Sequence, residues 1–177
     1  MKILFTIIFF LSSTFAADKT AVTQALAACG PIDIRFDVTT EENQHPLGQP
    51  EAGKALVYIV QQGEFECIRC STTSRMGVDG TWVGANDDES YFYFYVTPGE
   101  HHLCTDQQTK SEDHRLAALV PFTAEAGKIY YFRARLLERI TRHRGSDEWT
   151  LDLDPINPDQ GQLLVSLSRF STWRMKK

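Results

Sequence analysis

The sequence predicts an all-β protein, a single antiparallel β-sandwich of about nine strands preceded by a short N-terminal helix and a signal peptide. Three observations carry that expectation. Residues 77–104, GVDGTWVGANDDESYFYFYVTPGEHHLC, read as consecutive strands joined by turns. Asp79-Gly80 tolerates the positive φ of a two-residue hairpin, and Pro98-Gly99 fits the centre of a type II turn. Tyr91 to Val96 is an unbroken run of aromatic and β-branched residues suited to a pleated surface. Short strands recur between turn signals with no strand–helix alternation, the pattern of two packed antiparallel sheets.

Residues 1–16 have the layout of a secretory signal peptide. Lys2 supplies the positive start, Ile3 to Leu11 is almost wholly apolar, and Thr14 and Ala16 are the small residues before a cut. The apolar run is about half of the roughly 20 residues a membrane span needs. Cleavage after Ala16 would leave 161 of the 177 residues and, with Lys2 gone, move the formal charge from −5 to −6. That length supports one domain with a true core. An acidic chain lacks the basic footprint of non-specific nucleic-acid binding. No later stretch approaches membrane length, so no span is expected in the mature chain, and the expected location is periplasmic or extracellular.

Residues 17–31 form an N-terminal segment in which Ala21, Val22, Ala25, Leu26 and Ala28 have near-helical spacing, stopped by Gly30-Pro31. The sandwich is expected over residues 32–172. Ile32, Ile34, Phe36 and Val38 alternate with Asp33, Arg35 and Asp37, a half-buried strand. Residues 39–53 are a polar loop, and Ala55 to Val60 a central strand. Gln61 to Ser74 is irregular. Arg115 to Thr123 is a strand that Pro121 places near an edge. Lys128 to Leu137 puts Tyr130, Phe132 and Ala134 on one face and Tyr131, Arg133 and Arg135 on the other. Trp149 to Leu153 and Gln162 to Leu167 complete the strands, and residues 173–177 read as a frayed basic tail.

Four cysteines behind an export signal indicate disulfides, because the destination is oxidising. Three pairings are open; Cys29 with Cys104 and Cys67 with Cys70 is the favoured one. Cys67-Ile-Arg-Cys70 also has the spacing of a redox pair, but its surroundings are β-like, and a reactive thiol wants a helix N-terminus.

The blocks PEAGKALVYIV (50–60), GVDGTWVGA (77–85), SYFYFYVTPGEHHLC (90–104), FTAEAGKIYYFRAR (122–135) and LDLDPINPDQGQLLVSLSRFST (151–172) resemble, in order, a bacterial secreted family known as domain of unknown function 2846. The DG…VG…PGEH arrangement is also similar to PEGA-type envelope modules. The resemblance implies secreted or envelope-attached proteins of β-fold and carries no catalytic residues over. Many relatives bear a lipid anchor; here no cysteine follows the predicted cut. Cys67 and Cys70 do not match the family pattern.

No catalytic, cofactor or metal residue is assigned. His101 and His102, adjacent on a strand, point to opposite faces and cannot share one metal, while His45, His114 and His143 fall in unrelated loops. The oxygen-rich run Asp152 to Gly161 departs from an EF-hand loop, with Ile156 at a ligand position and Asn157 where glycine belongs. It reads as a strand connection, and Asn86-Asp87-Asp88-Glu89 as a solvated loop. Neither a nucleophile elbow nor a phosphate-binding loop appears.

One surface stripe stands out. With Phe92, Phe94 and Val96 turned to the core, Tyr91, Tyr93 and Tyr95 line up outward, and Arg133 and Arg135 do the same on their strand. Tyrosine with arginine is enriched at recognition surfaces; the alternative is that the tyrosines lie under a loop. The functional expectation is a non-catalytic envelope module that binds an envelope protein or a surface glycan. The alternatives are a hydrolase with a spatially assembled site and a structural component of the envelope.

Overall fold

The computed structural model describes residues 28–63, 73–108, 116–140 and 147–176, and among them the chain forms ten strands and one helix. In order these are β1 (Phe36–Glu41), β2 (Ala55–Gln62), β3 (Ser74–Val78), β4 (Thr81–Asn86), β5 (Ser90–Val96) and β6 (Gly99–Gln107). They are followed by β7 (Ala117–Ala124), β8 (Ile129–Ile140), β9 (Asp147–Ile156), α1 (Pro158–Leu167) and β10 (Arg169–Met175). The predicted helix over 18–28 and the Cys67–Cys70 pair lie outside the described residues, as does the signal segment.

Two sheets form. One has six strands in the order β1-β10-β5-β2-β8-β9, the other four in the order β4-β3-β6-β7. Alternate residues of β2 (Ala55, Val57, Ile59), β5 (Phe92, Val96) and β8 (Phe132, Ala134) face Met76, Val78 and Leu103 of the smaller sheet across a common core. Period-two patterning turns one face of each of these strands to that core, and at about 25 cal/mol per Å² its burial drives the sheets together.

The Asp79-Gly80 hairpin turn is in place, with φ of 49° and 86°, whereas Pro98 is a bend and Gly99, at φ 138°, already opens β6 in the smaller sheet. β7 is an edge strand, with Pro121 opposite His102, where its missing N–H removes nothing from a central ladder.

Several expectations are corrected. The large sheet is mixed rather than antiparallel: β2 runs parallel to β8, and β10 parallel to β5. Turn chemistry specifies hairpins between sequence neighbours, whereas these pairs join strands separated by whole excursions into the smaller sheet or past α1. Gln162–Leu167 is helix, not strand. Asn157 caps it by accepting the Gln160 N–H at 2.9 Å, Pro158 sits in the first turn, and Asp159 favours the same end. Trp173 to Met175 is no frayed tail: β10 pairs with β1 from Phe36↔Met175 to Glu41↔Phe170, and Trp173 meets Phe36 edge-on at 5.3 Å. The first strand begins at Phe36 instead of Ile32. The carbonyls of Ile32 and Ile34 turn to the guanidinium of Arg75 rather than to a neighbouring strand, and the Trp82 indole donates to Pro31 at 2.8 Å.

Arg75 is therefore the post around which residues 28–35 fold. It is almost fully buried, pairs with Asp106 at 2.8 Å and lies over the Trp82 ring at 4.5 Å. Beside it, Cys29 and Cys104 form a disulfide with Cα atoms 5.1 Å apart across 75 positions of sequence. The bridge packs with Ala28, Phe36, Trp82 and Ala85 in a second apolar cluster. Asn86–Glu89 is a tight turn rather than a solvated loop. Asn86 is buried and donates to the Ser90 carbonyl, while Asp87 accepts from Thr73 and Asp88 from Gln61.

Candidate functional site

The far face of the six-stranded sheet, turned away from the common core, is paved with tyrosine. Register places Tyr58 on β2 between Tyr93 of β5 and Tyr131 of β8, and Val60 opposite Tyr91. Alternation thus sends Tyr91, Tyr93 and Tyr95 to this face, as the sequence pattern requires, but the face is covered. The segment 45–50 lies over it from one side and α1 from the other, with Leu56, Tyr58, Val60, Tyr91, Tyr131 and Val165 forming a third apolar cluster beneath.

Hydroxyls hold the covering segment down. Tyr91 donates to the Pro46 carbonyl at 3.0 Å and Tyr95 to that of Gln49 at 2.8 Å, while the Tyr58 oxygen accepts the Gly48 N–H at 2.8 Å. Gly48 is needed for closeness: a Cβ there would stand 2.9 Å from the Tyr93 ring and 3.0 Å from Leu56. The helix is seated in the same manner, since a Cβ on Gly161 would lie 2.2 Å from Cγ of Tyr131. Tyr131 in turn stacks on Tyr58 with centroids 5.0 Å apart and planes 14° from parallel.

Between the two covers opens a cleft of about 470 Å³. Tyr58 and Tyr131 form its floor. Leu47, Gln49 and Pro50 stand on one wall with His45, and Gln162, Val165 and Ser166 on the other, with Ile129 at the start of β8 between them. None of the eleven lining residues is Asp, Glu, Lys, Arg or Cys.

Electrostatics set the chemistry available. Burial is the main cause that raises the Tyr58 and Tyr131 pKa values, and it pushes Tyr91 up to about 12 with help from neighbouring phenols. These hydroxyls are neutral at physiological pH and act as hydrogen-bonding groups, not as bases. Ser166 donates its hydroxyl to the Leu163 carbonyl at 2.7 Å within its own helix.

The other singled-out residues sit apart from the cleft. Arg133 and Arg135 share the tyrosine face but are held by β9: Arg135 reaches Asp154 at 2.8 Å and Asp152 at 3.8 Å, and Arg133 reaches Asp154 at 3.9 Å. The oxygen-rich run is thereby divided, with two aspartates facing arginines and Asn157 capping α1. His101 is buried, with Nδ1 2.6 Å from Asp79 and Nε2 2.7 Å from the Thr97 carbonyl, whereas His102 is exposed. Burial pulls the His101 pKa down, but its hydrogen bonds to Asp79 and Thr97 outweigh that and the net shift is upward. Among the described residues, no group of three or more His, Cys, Asp or Glu is placed to hold a metal ion, and no helix is long and apolar enough to cross a membrane.

Sequence reasoning missed the covering residues Leu47, Gly48, Gln162 and Ser166. The signal for one cover was present in Asn157-Pro158-Asp159, a helix-start signature three residues before Gln162. Nothing in the pattern of 45–50 marks it as a lid over tyrosines.

Comparison with curated proteins and with solved structures gives no match. The model of the family described as Protein of unknown function (DUF2846) matches residues 51–145, from the turn before β2 through β8 and past its end. That span is more than half of the chain and contains both sheets' central strands, and so the chain belongs to this family.

Proposed function

We propose that this is an exported cell-envelope protein that performs no chemistry of its own and binds an envelope protein or a surface glycan. The contact is the cleft between residues 45–50 and α1. The observation that carries the reading is the lining: aliphatic side chains, two side-chain amides and the neutral phenols of Tyr58 and Tyr131, the composition of a recognition pocket. Export is supported by the signal-like residues 1–16 and is consistent with the Cys29–Cys104 bridge, since disulfides persist in oxidising compartments. The hydrolase alternative gains no support from the lining hydroxyl, since Ser166 bonds the Leu163 carbonyl of its own helix rather than the His45 imidazole.

The test is a double variant, Leu47→Ser with Gln49→Ala, at two exposed positions of the covering segment whose side chains hold no element in place. Its melting temperature should match the parent's, while its co-sedimentation with isolated cell envelopes drops at least tenfold. Equal retention of variant and parent would sink the cleft as the contact. Turnover of an envelope polymer by the purified parent would put the hydrolase in its place.

A further inference from the structure

Resting on that reading, we infer that the cleft takes an uncharged, extended peptide segment carrying an aliphatic side chain, in preference to a sugar. Three properties of the lining argue for it together.

The first is that the aromatic rings are covered. Sugar recognition of the stacking kind needs an open ring face, yet Tyr58 and Tyr131 are only 3% and 7% exposed. Gly161 lies on one of these rings, and the two stack on each other. What the cleft offers to solvent instead is aliphatic: Leu47 is 61% exposed and Ile129 37%. These surfaces gain from covering another aliphatic group.

The second is the polar complement. Gln49 and Gln162 stand on opposite walls, and a carboxamide both donates and accepts, matching the two faces of a peptide unit. Gln162 stands within reach of the Tyr131 hydroxyl, whose pKa its side chain lowers. The third is charge. No Asp, Glu, Lys or Arg lines the cleft, and its one imidazole, His45, stands exposed on the outer wall, so the interior offers a charged ligand no ion partner as it loses water.

The experiment titrates the uniformly ¹⁵N-labelled protein with three probes: acetyl-Ala-Leu-Ala-amide, acetyl-Ala-Glu-Ala-amide and N,N′-diacetylchitobiose. The leucine peptide should shift the backbone amides of Gly48, Ile129 and Gln162, with affinity at least fivefold above the glutamate peptide. Leu47→Gln should lower that affinity at least fivefold and leave the rest of the amide spectrum unchanged. Cleft shifts with the disaccharide and not the leucine peptide would overturn the peptide assignment while keeping the cleft as a binding site. Equal response to both peptides would overturn the charge argument and with it the inference. Silence at the cleft with all three probes would overturn the inference and the underlying reading together.

Discussion

Gly161 of α1 rests directly on the ring of Tyr131, so closely that a methyl group there would approach Cγ to 2.2 Å. This contact, rather than a long apolar stripe, seats the helix, because only Gly161 and Val165 of its ten residues are buried. Exchanging Gly161 for alanine therefore sets two effects against each other. Helix propensity favours alanine by about 1 kcal/mol, while forcing a methyl into a packed contact costs about 1–3 kcal/mol. Gly161→Ala should lower the melting temperature and make the amides of Gln162 to Val165 exchange faster. A rise in melting temperature would mean that α1 does not need the ring.

Tyr58→Phe removes the acceptor of the Gly48 N–H without emptying the floor of the cleft. The loss of one such hydrogen bond is worth about 0.5–1.5 kcal/mol. Native-state hydrogen exchange should show the Gly48 amide opening roughly tenfold faster, with amides of the smaller sheet unaffected.

Stability should carry a pH signature from His101 and Asp79. The His101 pKa is raised above its ordinary 6.5, so its contribution is fully present below pH 6.5 and fades as pH climbs through the folded-state value. Burial by itself would raise the Asp79 carboxyl, but hydrogen bonds from the His102 N–H and from His101 hold it below 3.8. Its contribution is present above 3.8 and fades as pH falls through the lowered value. Both groups are charged between about pH 4 and 6.5. The melting-temperature difference between parent and His101→Gln should be largest in that window and shrink toward pH 8.

Arg75 closes the amino-terminal turn onto β3, with Asp106, Trp82 and two backbone carbonyls gathered about it. Arg75→Ala strips a buried carboxylate of its guanidinium, a change that costs about 3–5 kcal/mol. Urea unfolding should show the midpoint falling by that equivalent. Reduction of Cys29–Cys104, which closes a loop of 75 positions, should destabilise by about 4–5 kcal/mol on the chain-entropy account.

The legible part of this fold is local. Asp79-Gly80 is readable because only certain residues accept those backbone angles, and the two faces of β5 and β8 are readable because alternation has period two. What covers a face is set by segments distant in sequence. The Tyr91, Tyr93 and Tyr95 pattern is the same whether those rings meet water or the 45–50 segment. β10 hides for a related reason: its inward Ser171 bonds the Ser90 hydroxyl at 2.7 Å, so a polar residue stands where an apolar one would have shown the alternation. Leu163 to Leu167 is a short apolar run that periodicity cannot divide between helix and strand, and the capping Asn157 decides it.

The pairing of β1 with β10 spans almost the whole described chain, from Phe36 to Met175, and β10 is what joins β1 to the rest of its sheet. A chain that folds from its amino-terminal side cannot pair β1 until β10 is present. Such distant partners are slow to find each other, on the order of milliseconds to seconds. A truncation that removes β10 would leave β1 without a ladder partner, held at Phe36 by the Gln108 amide.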